Sequence, residues 1–185
     1  MIKQAIRDFI VKRTFAARLR NKGMNTFSNF EILKSIRSSA ELKRTEENRP
    51  HEVMYFHKVD DPYSHLALQY IDKLQESFDI SFQAILVGEE NADAVHEPSL
   101  YSTYCLDDAR RIAPFFGVEF SAESYPSGEL VIKSNKILTA VDALNFAEVA
   151  KKVSSALWSG KESILDDLSR EYSSTDEEVS NILES

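Results

Sequence analysis

A single cysteine, Cys105, stands in a chain of 185 residues. One thiol excludes an intramolecular disulfide, a cage of thiolates around a metal, and a two-cysteine redox cycle run within the chain. Long apolar runs are also missing. No stretch approaches the roughly 20 residues that a membrane-spanning helix needs, and no apolar segment of about 7 to 15 residues follows the start as in a secretory signal. The simplest expected compartment is the cytoplasm. Glycine and proline number only five each, which sets the chain apart from collagen-like and linker-like sequences. No internal repeat or low-complexity tract appears, and 43% of residues are apolar, so a sizeable core is affordable to the fold.

Charge is unevenly placed. Residues 1–50 hold 12 Lys+Arg against 5 Asp+Glu, and residues 51–185 hold 10 against 25, giving +7 and −15. An acidic body repels nucleic acid and anionic lipid, so only the basic head can meet either by charge. No nucleic-acid partner is expected for the protein as a whole. The Arg-rich pattern of the first 20 residues suits a helix docked on a neighbouring domain, and also a transit peptide or a membrane-surface helix.

Apolar spacing predicts a first helix over about 2–21 stopped near Gly23, and a second from Ser28 as cap, with Glu31 as capping-box partner, to Leu42 or Arg44. Thr45 to Pro50 reads as a polar linker. Residues 1–50 are therefore expected as a basic helical extension with its linker.

The body is organised around Val53 to Leu68. Val53 to His57 has strand character, and Leu66, Tyr70, Ile71 and Leu74 recur with helical spacing. Between them, Asp61 falls where a helix cap belongs and Pro62 where the first helical residue belongs. Ile80 to Val87 holds six apolar residues in eight, as expected of a strand covered on both faces. Strand, helix and strand make a βαβ unit, parallel and right-handed. Gly88 to Ser99 reads as an acidic loop. Helices are predicted over Leu106–Phe116, ending at Gly117, over Ser134–Trp158, ending at Gly160 with a break near Asn145, and over Ser163–Tyr172. Ser124 to Gly128 is a turn cluster. Residues 173–185 read as an acidic tail, with Thr175 a cap and Val179, Ile182 and Leu183 a weak stripe.

A strand followed by x-P-Y-S at the head of a helix resembles the active-site turn of the DsbA-like branch of the thioredoxin superfamily. It is most similar to the glutathione-using members, 2-hydroxychromene-2-carboxylate isomerase and kappa-class glutathione transferase, where S-P-Y-S is usual. Tyr104 to Val118 (Y-C-L-D-D-A-R-R-I-A-P-F-F-G-V) is similar to the family's Y-x-x-x-D-L-x-R-x-A-x-x-x-G-V helix. Tyr125-Pro126 stands where a phenylalanine-proline turn is common, Asn135 to Ala140 resembles an N-x-x-x-A-x helix start, and Ala156 to Gly160 resembles an A-x-W-x-x-G helix end.

The resemblance covers about residues 51–170. It implies an α/β, helix-rich protein with a thioredoxin-like βαβ unit over 51–88, a helical insertion over 89–172 and an N-terminal helical extension. It also implies glutathione as cosubstrate, a small-molecule thiol or glutathione conjugate as ligand, and Asp61 and Ser64 at the catalytic positions. Pro62, Tyr63, His65 and Asn91 then line the substrate site.

Three departures bear on this. The family's serine or cysteine before the proline is Asp61 here, and a carboxylate beside sulfur disfavours thiolate, opposing the helix terminus. The family's lysine three residues before Tyr104 is Tyr101. Furthermore, the closing half of a thioredoxin core requires a proline-bearing loop and two further strands, and the last proline is Pro126. The expectation is that this is the first part of a longer polypeptide or an incomplete reading frame, or that another chain supplies the strands.

Each residue also has a plainer explanation. Asp61 is accounted for by capping alone, and Ser64 by a local hydrogen bond. His57 and His65 flank Asp60 and Asp61, but a strand end and a helix face need not converge, so no metal is assigned. Cys105 fits a small buried apolar residue. Arg110 and Arg111 fit a solvated edge, with Asp107 or Asp108 in pairing range. The functional expectation is a glutathione-dependent isomerase or transferase rather than a disulfide oxidoreductase. The alternative is a catalytically degenerate binding module for a peptide or partner domain.

Overall fold

The computed structural model describes residues 15, 17–88 and 97–183, and the chain divides after Pro50 into two compact units. The first contains α1 over 17–27 and α2 over Phe30–Glu46. Helix α1 runs through Gly23 instead of stopping there, because a helical glycine costs only about 1 kcal/mol relative to alanine. The cap of α2 is Asn29, one residue later than expected. Its Oδ1 accepts from the amides of Glu31 at 3.0 Å and Ile32 at 3.2 Å, while the Ser28 hydroxyl turns back to the Asn25 carbonyl. Glu31 thereby becomes the second helical residue, one too early for a capping box. No residue of α2 is buried.

The second unit opens with β1 (His51–His57), α3 (Pro62–Ser77) and β2 (Ile80–Leu86). The strands pair in parallel, with His51 opposite Ile80 and His57 opposite Leu86, and form a two-stranded sheet among the described residues. There follow α4 (Pro98–Phe116), α5 (Gly128–Thr139), α6 (Phe146–Trp158), α7 (Glu162–Glu171) and α8 (Asp176–Leu183). The protein is helix-rich with a small parallel sheet, a mixed α/β class. No helix among the described residues is long and apolar enough to cross a membrane.

Several expectations change, among them the start of α4, which lies at Pro98 rather than Leu106. Strand β2 is not covered on both faces: Ser81 and Gln83 are exposed and alternate with Phe82 and Ala84, which pack on the core. On β1, Met54 and Phe56 are exposed, so one face of the sheet is open. The segment Glu129 to Lys133 belongs to α5, which Ser127 caps through the Leu130 amide. Asn135 is therefore inside a helix and Ala140 caps its end; neither lies at a helix start. Residues 176–183, expected as an acidic tail, form α8. Thr175 and Glu178 make a reciprocal capping box there, and Leu183 packs against the core.

The core lies where α3, α5, α6 and α7 meet. Phe146, Val149, Ala150, Val153, Ala156 and Leu157 follow helical spacing on α6 and are all buried, and Leu165 of α7 has no exposed surface. Each such residue stabilises the fold by about 1.5 to 3 kcal/mol, less for alanine. A second cluster, Leu66 with Ala109 and Ala113, joins α3 to α4. Alanines at the contact let the two helices approach closely, which places α4 beside the corner at Asp61.

Candidate functional site

The corner between β1 and α3 forms as its residues dictate. Pro62 takes the first helical position, where a missing N–H is harmless, and Asp61 caps the helix in an extended conformation. Asp61 Oδ2 accepts the Ser64 amide at 2.7 Å and the Ser64 hydroxyl at 2.8 Å, and Oδ1 receives the Tyr63 amide at 3.4 Å. Ser64 Oγ, buried, also accepts the Lys58 amide at 3.3 Å. Both expected catalytic residues are thus brought together, each engaged by the other. The serine hydroxyl donates its only proton to the Asp61 carboxylate, the one side-chain group among its hydrogen-bond partners here that could act as a base toward it.

Beneath this corner lies a network that spacing did not reveal. Tyr55 Oη donates to the Ser64 carbonyl at 2.8 Å and lies 2.9 Å from His57 Nδ1. A phenol has one proton, so His57 supplies the proton of the second bond and is the Nδ1–H tautomer. Its Nε2 is a buried acceptor with no hydrogen-bond partner among the described residues. Burial, reinforced by the charge His65 would carry, lowers the His57 pKa to about 4. Burial also raises the Tyr55 phenol far above its ordinary value, and both groups are neutral at pH 7.

His65, expected at the substrate site, is held inward. Gln69 Nε2 donates to the Glu119 carbonyl at 2.8 Å while its Oε1 accepts the Glu119 amide at 2.9 Å, which fixes the orientation of the amide. Gln69 Nε2 also lies 3.0 Å from His65 Nε2, so that ring nitrogen is the acceptor and Nδ1–H donates to Ser154 Oγ at 2.8 Å. Burial lowers the His65 pKa to about 4 as well. The ring sits among Phe120 and Trp158, with centroids 5.8 and 6.2 Å away. Gln69, Glu119 and Ser154 went unrecognised in the sequence, since the Ser154 contact spans 89 residues.

Tyr63 points the other way, donating to Asp108 Oδ2 at 2.8 Å, which is how α4 comes to bear on the corner. Beyond it an apolar groove of about 400 Å³ runs between the sheet and two helices, bounded by Val53, Tyr55, Leu66, Tyr70, Phe82 and Phe116. A more polar cleft of about 270 Å³ lies on the far side of His65, bordered by Glu119, Lys151 and Trp158. No family model, curated protein or solved structure matches this chain.

The remaining expected residues divide. Pro62 is buried, and Asn91 lies outside the described residues. Cys105 is a buried free thiol, and Arg110 pairs with Asp107 at 3.0 Å. His57, Asp60, Asp61 and His65 do not gather: among the described residues no three His, Cys, Asp or Glu side chains are placed to hold a metal. For a thiol ligand such as glutathione the fit is one-sided. The amides at the head of α3 are already taken by the Asp61 carboxylate, so a second anion there meets repulsion. A neutral thiol can still donate to Asp61 Oδ1, whose bond to Tyr63 is long.

Proposed function

We propose that residues 51–88 are the first half of a DsbA-like thioredoxin domain, with 89–172 its helical insertion, akin to the glutathione-dependent isomerases and transferases, in which the Asp61–Ser64 corner receives a thiol or glutathione conjugate. The observation that carries this reading is a parallel β-α-β unit with an x-Pro-Tyr-Ser turn at the carboxyl end of its first strand, capping the intervening helix. In such units the helix N-terminus is the natural seat for sulfur. The reading includes a completing partner: strands from outside this half-domain, laid along the edge of β1 away from β2.

Two activities share the corner. In the first, the protein acts on a glutathione conjugate as an isomerase or transferase, with Asp61 contacting the sulfur and Tyr63 and His65 lining the site. In the second it is a binding module that has kept the groove and lost the chemistry. The carboxylate already seated at the helix terminus, with Ser64 turned onto it, favours the second.

Calorimetric titration with glutathione separates them. Saturable heat from the native protein at millimolar thiol supports the enzyme reading. Silence from the native protein with saturable heat from Asp61→Ser, which frees the helix amides, supports the binding module. Silence from both removes the thiol site altogether.

A further inference from the structure

We propose that the outward apolar face of α1 is a docking surface for an anionic lipid bilayer. Between Phe9 and Phe30 the sequence has no Asp or Glu and five cations, Lys12, Arg13, Arg18, Arg20 and Lys22. Within the described part, Phe15, Leu19, Met24 and Phe27 fall on roughly one half of the helix at 3.6 residues per turn. Their exposures are 68, 63, 65 and 69%. The other half carries Arg18, Asn21, Lys22 and Asn25, which with Thr26 line a cleft shared with Asn29 and Ile32 at the start of α2. The apolar side of α1 thus faces solvent, the reverse of a helix that packs to make a core.

Exposed aromatic and aliphatic side chains on this scale mark an interaction surface. The cations select the partner. Arg18 and Lys22 border the apolar half beside Phe15, and Arg20 sits within it, where a long side chain can lay its stem along hydrocarbon and raise its head to a phosphate. Aromatic and aliphatic residues on one side with Arg and Lys at the margin is the pattern of a helix lying in the bilayer interface. A nucleic acid would satisfy the cations and leave Leu19, Met24 and Phe27 in water. An anionic lipid surface satisfies both, by charge at the headgroups and by apolar contact just below them.

The test is flotation of the full chain with vesicles of phosphatidylcholine alone and of phosphatidylcholine with about a third phosphatidylserine. Binding to the anionic vesicles is expected, with about tenfold weaker partition to the neutral ones and a similar loss at about 0.5 M salt. Leu19→Gln with Phe27→Gln, both exposed and outside any core, reduces partition about tenfold if the face inserts. Leu42→Gln, an exposed leucine of α2, leaves it unchanged. Equal partition to neutral vesicles overturns the proposal. So does indifference to the double substitution, or binding to a DNA duplex with none to vesicles.

Discussion

Asp61 and Ser64 are bound to each other twice, through the serine amide and through its hydroxyl, both reaching the same carboxylate oxygen at 2.7 and 2.8 Å. One side chain caps the helix and holds the serine hydroxyl of the corner. Asp61→Ala should cost about 1 kcal/mol, within the range of about 0.5–2 kcal/mol for lost caps, and Asp61→Ser only a few tenths. Urea unfolding checks this as a lower midpoint with an unchanged slope. An Asp61→Ala protein as stable as the native one would show that the cap contributes nothing.

His57 and His65 are both buried and neutral, with pKa values lowered to about 4 from 6.5. The unfolded chain takes up their protons near pH 6.5, while the folded chain refuses them until about pH 4. Their contribution is complete above pH 6.5 and lost as the pH falls toward 4, by about 1.4 kcal/mol per unit for each histidine, or roughly 3 kcal/mol each across the window. Denaturation at pH 7, 5 and 4 measures the slope, and His65→Asn should remove its share.

Gln69 ties α3 to the segment after α4 by holding both backbone groups of Glu119, and it also meets the Nε2 of His65 on its own helix. Gln69→Leu leaves those partners unsatisfied at a cost of about 1–3 kcal/mol. Trp158, the only tryptophan, lies 5.2 Å from Phe120 between ring centroids, so it reports on the same segment. The variant's fluorescence should shift to the red as the segment around Phe120 loosens. An unshifted spectrum would mean that the aromatic contacts hold the segment unaided.

Gly88 approaches the end of α8 so closely that an added Cβ would meet Leu183 Cβ at 2.9 Å and its carbonyl oxygen at 3.0 Å. Neither atom belongs to the free end of a flexible side chain. Gly88→Ala should displace α8 and cost about 1–3 kcal/mol. Amide exchange in 176–183 reports it, rising selectively over exchange in α6. Exchange unchanged in both helices would show that the contact yields without loss.

Local chemistry was legible in the residues. Asp61 and Pro62 mark a helix start wherever they stand before an apolar-periodic run, because a cap and a fixed φ act over four residues. Gly117 and Gly160 ended their helices with φ of 64 and 66° as anticipated, since only glycine enters that region without strain. The cap of α2 was misplaced by one residue because Ser28 and Asn29 are nearly equal as caps, and orientation alone chose between them. Strand β2 reads as fully covered from its apolar run, yet coverage depends on what lies opposite its second face.

The order of strand, capped helix, strand and trailing helices, the basic head and the acidic body all follow from the sequence, since periodicity, capping and charge act between near neighbours. Only the tertiary structure decided that Tyr55 and His57 lie beneath Ser64, that Gln69 clasps Glu119, and that Tyr63 reaches Asp108. Each contact joins groups whose partners are chosen by how helices settle against one another. That packing arises from the whole core at once, and no spacing along the chain encodes it.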